Sequence, residues 1–364
     1  MEYTLRSLGS FSEMKYGKMP NKKMSSDKGK YPIFSGYRVV GYCDECNIGE
    51  QQLVVVARGV GGTGDVKLSP GACFLTNLSI AVLVDESVAL KKYLYYYFLK
   101  NNLRYLDSGS AQSQITIGDL KNVEVPLPSI ETQKKVVSIL DVIDEKINNN
   151  VAINDNLADL LQTIYQERFV NDILAVNQGV LSDICSYSRD KVAVSELNIR
   201  TYFSTENMLS GKAGSTEATS LPTTSQTTAC HKGDTLISNI RPYFKKIVYC
   251  EDKCGCSTDV LCFTPSQPRY SAYLFSTLYA DKFFAFMVAG SKGTKMPRGD
   301  KQQIMTYPVV LPSEEELAGF NTIASPLLEQ IYSNRAENKR LSILRDTLLP
   351  KLMSGEIDVS AVQL

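Results

Sequence analysis

The sequence predicts an α+β protein in which two globular domains alternate with two long helices that pair with each other. The first observation behind this fold class is an internal repeat with a period of 184 residues, which indicates duplication of a whole unit. The second is a seven-residue apolar pattern in both copies, which is typical of paired helices. The third is an alternation of basic and acidic stretches along a chain of zero net charge.

The chain is long enough for two domains with their own cores. Its 364 residues are 43% apolar and 21% charged, which is typical of a soluble globular protein. No run approaches the roughly 18 apolar residues of a membrane span, and the first residues lack the pattern of a secretory signal, so we expect a cytoplasmic protein. Nine cysteines without regular spacing favour reduced thiols over a disulfide framework.

The first globular stretch contains a glycine pattern known from nucleotide-binding loops. Gly59, Gly61 and Gly64 have the spacing G-x-G-x-x-G after a strand-like run that starts at Leu53. That fingerprint requires a helix after the glycines, whereas here a Ser-Pro-Gly turn and a second β-like run follow. We therefore predict a hairpin or bulge, in which glycine permits close approach of the backbone to a ligand.

The repeat superposes "VEVPLPSIETQ" on "YPVVLPSEEEL" without a gap and continues into two helical segments. Ser129 and Ser313 stand where a helix N-cap is expected, and Pro326 predicts a break or kink in the second helix. One position in seven forms a seam in each helix: Val136, Ile143, Asn150, Leu157 and Ile164 in the first, and Phe320, Leu327, Asn334, Leu341 and Leu348 in the second. We expect these residues to pair the helices and the two asparagines to fix their register. The alternative is that each helix is amphipathic and packs on its own domain.

The charge of the chain is divided between its parts. Residues 1–122 and 173–306 each carry 15 Lys and Arg against 11 Asp and Glu, whereas residues 123–172 carry 4 against 9 and residues 307–364 carry 5 against 8. Two basic domains on acidic helices predict two surfaces that contact the phosphates of a nucleic acid.

Loop-like stretches in the basic domains supply the candidate DNA contacts. Lys and Thr mostly hold phosphates, whereas Arg and Asn can read base edges. The candidate DNA-binding residues are Lys15, Lys18, Lys22, Lys23, Lys28, Lys30, Arg58, Lys67, Asn239, Arg241, Tyr243, Lys245, Lys246, Lys292, Thr294, Lys295 and Arg298. The tyrosines and phenylalanines of the predicted aromatic helices are expected in the cores instead.

Two groups of cysteines have the short spacing of zinc ligands. They are Cys43 with Cys46, and Cys250 with Cys254 and Cys256. Neither group has a matching second pair, and buried free cysteines often serve as small apolar residues, so we favour the latter interpretation and predict no metal site.

The stretches "GSAQSQITIGDLKNVEVPLPSIETQKKVVSILDVIDEKI" and "NRAENKRLSILRDTLLPKLMSGEI" resemble the specificity subunits of type I restriction–modification systems. The resemblance spans nearly the whole chain. It implies two mixed α/β target-recognition domains, residues 1–127 and 173–311, each reading one half of a split DNA site. It also implies two helical spacers, residues 128–172 and 312–364, that pair as an antiparallel coiled coil and dock methyltransferase subunits. Gln133 agrees with the pattern of the family at the start of the first helix. The corresponding position of the second repeat is Leu317, so the two helix starts are not strictly symmetric.

The resemblance further implies that this chain is not an enzyme. Catalysis would belong to a methyltransferase subunit, which uses S-adenosylmethionine, and to a restriction subunit, which uses ATP and Mg²⁺. The sequence agrees, because it contains neither the Asn/Asp-Pro-Pro-aromatic motif of an amino-methyltransferase nor a phosphate-binding loop. The expected partners are therefore double-stranded DNA and these two kinds of subunit, with no cofactor in this chain and no membrane.

Two other functions stay open at this point. A two-headed protein-binding scaffold would have the same domain order without contacting DNA. A metal-dependent nuclease would use Asp234 with Glu251 and Lys253 to hold Mg²⁺.

Overall fold

The computed structural model describes residues 2–21, 29–59, 62–107, 114–171 and 177–362. The chain folds into two compact units. The first unit is Met1–Asn148 together with Asn338–Leu364, and the second unit is Asn149–Glu337. Each unit holds one globular part, one portion of the helix pair and a hydrophobic core of its own.

The first unit begins with small sheets and short helices. Its elements are β1 (Thr4–Ser7), β2 (Ser12–Tyr16), β3 (Tyr31–Phe34), β4 (Val39–Cys43), β5 (Leu53–Val56), β6 (Val66–Leu68), β7 (Phe74–Leu75), β8 (Ser79–Val84), α1 (Lys91–Lys100), α2 (Ile117–Lys121) and β9 (Glu124–Leu127). Strands β2, β8, β5 and β6 form an antiparallel sheet in that order, and β4, β3 and β7 form a second sheet in which β3 and β7 are parallel. Strand β1 pairs with β9.

Helix α3 (Ile130–Phe169) precedes the second globular part, and helix α8 follows it. The elements are β10 (Gln178–Val180), α4 (Leu181–Ile184), β11 (Cys185–Tyr187), β12 (Lys191–Ala193), β13 (Tyr202–Phe203), β14 (Gln226–Cys230), β15 (Thr235–Ser238), β16 (Ile247–Tyr249), β17 (Cys254–Cys256), β18 (Val260–Pro265), α5 (Ser271–Tyr279), α6 (Asp281–Ala289), α7 (Lys301–Met305), β19 (Pro308–Val310) and α8 (Glu314–Ser354). Strands β11, β18, β15 and β16 form one sheet, β12, β14, β17 and β13 form another, and β10 pairs with β19.

The sheet orders show that the duplication extends into the globular parts. The sheet β2-β8-β5-β6 has the same connectivity as β11-β18-β15-β16, and the parallel pair β3·β7 has its counterpart in β13·β17. In each unit the hairpin at the end of the four-stranded sheet, β5–β6 or β15–β16, therefore occupies the same place in the topology.

The aromatic helices lie in the cores, as predicted. Tyr93, Tyr96 and Phe98 of α1 are fully buried in the first unit, and Tyr273 of α5 and Phe283 of α6 are fully buried in the second. Their burial stabilises the packing of each helix on its sheet, because aromatic side chains remove large apolar areas from water.

Helices α3 and α8 pack against each other in opposite directions, which confirms the predicted antiparallel pair. In the first unit the guanidinium of Arg345 lies 2.9 Å from the carboxylate of Asp144. In the second unit the ring centroids of Phe169 and Phe320 are 5.3 Å apart. Residue numbers thus rise along α3 while those of the partners on α8 fall. The two helices have 40 and 41 residues, so each is about 60 Å long at 1.5 Å per residue.

The structure places the seam residues at different depths. Buried members are Val136, Ile143, Asn150, Phe320 and Asn334, while Leu157, Ile164, Leu327, Leu341 and Leu348 are half-buried. A second set of buried residues follows at the other heptad position, namely Leu140, Asn154 and Leu161 on α3 and Leu317, Ala324 and Ile331 on α8. Burial therefore recurs at two positions in seven, as in paired helices, and Val136, Leu140, Leu317 and Phe320 among these residues also belong to the hydrophobic cores of the two units.

Pro326 does not interrupt α8, so of the predicted break or kink the break is wrong, while a kink stays a prediction. The helix is continuous from Glu314 to Ser354. Ala324 and Leu328 are buried on either side of the proline. Their packing outweighs the loss of one backbone hydrogen bond, which by itself disfavours proline inside a helix.

Across the described part of the chain, no helix combines the length and the apolar character needed to cross a lipid bilayer.

Candidate nucleic-acid interface

The glycine stretch of the first unit forms the hairpin predicted from the sequence. Strands β5 and β6 pair antiparallel, and the described residues between them, 57–59 and 62–65, contain no helix. Gly59 and Gly64 have φ values of 142° and 90°, which favour glycine. A Cβ on Gly64 would lie 2.5 Å from the backbone nitrogen of Arg104, so at this position the absence of a side chain lets the loop pack against the segment that contains Arg104. Val60 and Gly61 lie outside the described residues.

The corresponding loop of the second unit, residues 239–246, is held against a second predicted stretch. Ile240 forms a β-bridge with Arg298, and the backbone nitrogen of Arg241 donates to the carbonyl of Pro297 at 2.8 Å. The sequence stretches "SNIRPYFKK" and "GSKGTKMPRGDK" are therefore adjacent. The same pairing occurs in the first unit, where Arg58 forms a β-bridge with Gln114.

The candidate residues of the first unit differ in whether their charged groups contact other side chains of the protein. The ammonium group of Lys15 lies 3.2 Å from Glu13, and that of Lys30 lies 5.1 Å from the ring centroid of Tyr31. Lys18 and Arg58 are exposed and Lys67 is half-buried, and in the described residues these three side chains have no ion-pair partner. Lys22, Lys23 and Lys28 lie outside the described residues.

Several candidate cations of the second unit are tied to protein groups. Lys245 lies 2.9 Å from Asp281, and Lys246 donates to the carbonyl of Thr205 at 2.6 Å. Arg298 lies 3.2 Å from Asp259, and Lys292 is paired with Asp300. The three ion pairs reduce the net positive charge that the loop offers to a phosphate, whereas the carbonyl of Thr205 restrains Lys246 without neutralising it.

The remaining candidates of the second unit are more accessible. Thr294 and Lys295 are exposed, Tyr243 is 50% exposed, and Arg241 is half-buried. Within the described chain, the side chains of Arg241 and Lys295 form no ion pair. They are therefore the cations of this loop pair that are available to DNA.

Asn239 lies beneath the loop instead of facing solvent. It is 6% exposed, and its side-chain oxygen has no hydrogen-bond partner among the described residues. Its backbone nitrogen donates to the carbonyl of Asp259 at 2.8 Å. In this conformation Asn239 supports the loop, so an edge contact to a base would require its side chain to move.

Asp281 is a functional candidate that the sequence did not indicate. Its carboxylate accepts hydrogen bonds from Lys212 at 2.7 Å and from Lys245 at 2.9 Å. These hydrogen bonds lower the pKa of Asp281, so the carboxyl group stays ionised at neutral pH. Because Lys212 and Asp281 are far from the loop in sequence, no local pattern signals this interaction.

The cysteines of the two groups lie in different environments. Cys43 is buried while Cys46 is exposed. Cys250 and Cys254 are buried in a small apolar cluster with their sulfur atoms 3.6 Å apart. Among the residues that the structure describes, no group of three or more His, Cys, Asp or Glu side chains is arranged to hold a metal ion.

Asp234 and Lys253 of the nuclease alternative are engaged in structural contacts, whereas one buried carboxylate oxygen of Glu251 has no hydrogen-bond partner among the described residues. Asp234 is 1% exposed and accepts hydrogen bonds from the backbone of His231 at 2.8 Å and from the thiol of Cys262 at 3.2 Å. Burial raises the pKa of Asp234. Lys253 pairs with Glu196 at 2.9 Å. These contacts argue against a solvent-accessible Mg²⁺ site at Asp234.

Comparison with known proteins agrees with this architecture. Residues 1–158 match the family described as the type I restriction modification DNA specificity domain. The chain is 22% identical over 348 residues to the type I restriction enzyme MjaIX specificity subunit of Methanocaldococcus jannaschii, a match that covers 78% of this chain and 73% of the relative. It is 30% identical over 166 residues to a putative type I specificity subunit of Mycoplasma pneumoniae, where the match covers 43% of this chain and 44% of the relative.

A solved structure shares the fold over almost the whole length. The crystal structure of the S subunit of a type I restriction–modification system from M. genitalium superposes with a TM-score of 0.63 at 20% sequence identity, covering 97% of this chain and 96% of that one. The two relatives are named specificity subunits. Residues 1–158 thus match the specificity-domain family, and over most of its length the chain is similar to type I restriction–modification specificity subunits.

Proposed function

We propose that this chain gives a type I restriction–modification complex its DNA sequence specificity, and that each recognition domain reads one half of a bipartite, gapped site. The recognition domains are residues 1–127 and 173–311. One observation carries the proposal: both units present a hairpin loop at the same place in the same sheet topology, residues 57–65 and residues 239–246. A duplicated scaffold with two different loops suits two different half-sites.

Charge supports the same assignment. Residues 1–122 and 173–306 each carry four more basic than acidic residues. Arg58 in the first loop and Arg241 in the second have no ion-pair partner among the described residues, and arginine is the side chain that most often reads guanine edges. Each loop thus supplies one candidate base reader in a basic surrounding.

We assign residues 128–172 and 312–364 to a helical spacer that sets the distance between the half-sites and docks methyltransferase subunits. The paired helices expose apolar side chains that the pair itself does not cover. Val142 is 67% exposed, and Leu160, Ile343 and Leu344 are each 47% exposed. Exposed apolar groups on an acidic helix pair suit contact with another subunit.

In this proposal the chemistry belongs to partner subunits in the cytoplasm of a prokaryotic cell. The methyltransferase subunit supplies S-adenosylmethionine chemistry, and the restriction subunit supplies ATP- and Mg²⁺-dependent cleavage. The chain itself binds double-stranded DNA and positions those subunits. We expect the purified chain, free of its partners, to show neither methylation nor cleavage of DNA.

The test is to map methylated adenines in cells that carry the intact system, first with the natural chain and then with Arg58→Ala or Arg241→Ala. We expect a motif of two half-sites separated by a gap. Arg58→Ala should relax only one half, and Arg241→Ala only the other. A motif without a gap, or relaxation of both halves by either substitution, would contradict the assignment. If the assembled complex did not bind duplex DNA at all, the protein-binding scaffold would be favoured.

A further inference from the structure

The loop between β15 and β16 has an unusual backbone. Lys212, Arg241 and Lys245 are the non-glycine residues with positive φ in the described part of the chain, at 65°, 50° and 51°. Side chains disfavour this left-handed conformation, and such strain persists where the surrounding structure enforces it, often at functional sites. Arg241 and Lys245 bracket the segment Pro242–Phe244, and the backbone nitrogen of Lys212 donates to the carbonyl of Lys245.

Hydrogen bonds hold this strained loop from two sides. The backbone nitrogen of Gly211 donates to the carbonyl of Phe244 at 2.8 Å, and that of Lys212 donates to the carbonyl of Lys245 at 2.9 Å. On the other side, the backbone nitrogen of Arg241 donates to Pro297 at 2.8 Å. These hydrogen bonds preorganise the loop.

This backbone displays two aromatic rings. Pro242 is buried, whereas Tyr243 is 50% exposed and Phe244 is 39% exposed. The ring centroids of Tyr243 and Phe244 are 4.8 Å apart. By contrast, Phe283 and Phe284 of the neighbouring helix α6 are fully buried. The strained backbone at Arg241 and Lys245 thus holds the rings of Tyr243 and Phe244 outside the core.

The charges around the two rings favour contact of this surface with DNA bases over contact with the phosphate backbone. Lys212 and Lys245 are held by Asp281, and Lys246 is held by the carbonyl of Thr205. Arg241 keeps a guanidinium group without an ion-pair partner among the described residues. A site with exposed rings beside one available arginine matches base stacking combined with edge recognition.

We propose that Tyr243 and Phe244 form an aromatic wedge that stacks on bases of the second half-site in duplex DNA, next to the base reader Arg241. The proposal rests on the proposed function and adds a recognition mode to it. Apolar wedges that enter a base step partly unstack it. The wedge therefore makes the second half-site depend on stacking and on the ease of opening a base step, in addition to hydrogen bonds.

The test uses the chain assembled with its methyltransferase partner and a duplex that contains the mapped site. A 2-aminopurine base is placed at successive positions of the second half-site, because its fluorescence rises when it loses stacking on its neighbours. We expect the natural complex to raise the signal at one base step. Tyr243→Ala should abolish the rise and weaken binding about tenfold without changing the salt dependence. Tyr243→Phe should retain both properties, because it keeps the ring.

Tyr105→Ala, which removes a 70% exposed ring from the first unit, is the matched control and should leave the signal intact. Binding by Tyr243→Ala within roughly twofold of the natural complex, with an unchanged signal, would overturn the wedge and leave the proposed function standing. Loss of methyltransferase association on size-exclusion chromatography, with DNA binding of the remaining complex unchanged, would reassign the rings to a protein contact. If the natural complex failed to bind the duplex, the proposed function would fall together with the wedge.

Discussion

The side-chain amide of Asn334 on α8 donates a hydrogen bond of 2.9 Å to the side-chain oxygen of Asn154 on α3, and both residues are buried. Asn150 lies one turn away and donates to Glu337 at 2.7 Å. Asn150 and Asn334 stand out in the sequence because they interrupt both seams at the same register. Within the second unit they lie in neighbouring layers of the helix pair, each bonded to a residue of the other helix.

This polar layer leads to a prediction about stability. Asn334→Leu should destabilise the helix pair by about 1–3 kcal/mol, because it leaves the buried amide of Asn154 without its partner. The double variant Asn154→Leu with Asn334→Leu should recover most of that loss, since it removes both polar groups. Urea unfolding followed by helical circular dichroism measures the effect, with the exposed Asn149→Leu as the control. Equal losses in the single and double variants would argue against a paired role.

Gln133 gives a second stability prediction. It is fully buried, its amide nitrogen donates to the carbonyls of Val88 and Pro128, and its oxygen accepts from the backbone nitrogen of Leu90, where α1 begins. Gln133→Leu, which installs the residue of its repeat mate, should destabilise the first unit by about 3 kcal/mol because several backbone groups lose their partners.

The exposed Gln166→Leu on the same helix is the matched control for Gln133→Leu. Urea midpoints within error of the natural chain for both variants would show that the bonds of Gln133 are dispensable.

The lysines near the second loop should differ in their contribution to DNA binding. Lys295 is exposed and has no ion pair among the described residues, whereas Lys292 is paired with Asp300. Lys295→Ala should weaken binding for all sequences and lower the slope of log affinity against log salt by about one unit. Lys292→Ala should change the slope less. Titrations of the assembled complex with DNA at several salt concentrations measure the affinity and the slope for each variant. An equal effect of the two substitutions would show that the ion pair between Lys292 and Asp300 does not reduce the contribution of Lys292 to DNA binding.

Asp281 should restrain the binding of DNA. Its depressed pKa means that its ion pairs with Lys212 and Lys245 are present at neutral pH and are lost only as the pH falls through that lowered value. Asp281→Asn should therefore release positive charge and steepen the salt dependence by up to about one unit for each lysine that reaches a phosphate. Glu206→Gln, on an exposed carboxylate of the same unit, is the control. A slope unchanged by Asp281→Asn would place both lysines away from DNA.

The sequence predicts those parts of this protein that depend on regular spacing. The duplication, the pairing of two long helices and the β5–β6 hairpin follow from a gapless repeat, heptads and turn residues, whereas the antiparallel direction of the helices was implied only by the family resemblance. Pro326 shows where local rules fail, because the burial of Ala324 and Leu328 outweighs proline's preference against helix interiors.

The candidate interface was less predictable because it depends on contacts between distant residues. Nothing near Arg298 in the sequence indicates that it pairs with Asp259, or that Ile240 bridges to it. Phe244 lies between the predicted residues Tyr243 and Lys245. The exposure of its ring depends on the strained backbone of the loop, which the sequence does not indicate. A count of basic residues therefore overestimates the charge that is free to meet a phosphate.

The central claim is that the two loops determine the half-sites while the helix pair determines the gap between them. The most direct measurement inserts one heptad in α3 between residues 148 and 149 and a matching heptad in α8 between residues 337 and 338, so that the seam is preserved. Each insertion adds about 10 Å of helix, close to three base pairs. A matched pair of four-residue insertions, which also rotates the seam, is the control and should impair pairing of the helices.

Each variant is assembled with its methyltransferase partner and given a DNA library with randomised half-sites and gaps, and the methylated sequences are read. The heptad variant should methylate both natural half-sites with a gap about three base pairs longer. An active heptad variant that kept the natural gap, or that changed either half-site, would contradict the account.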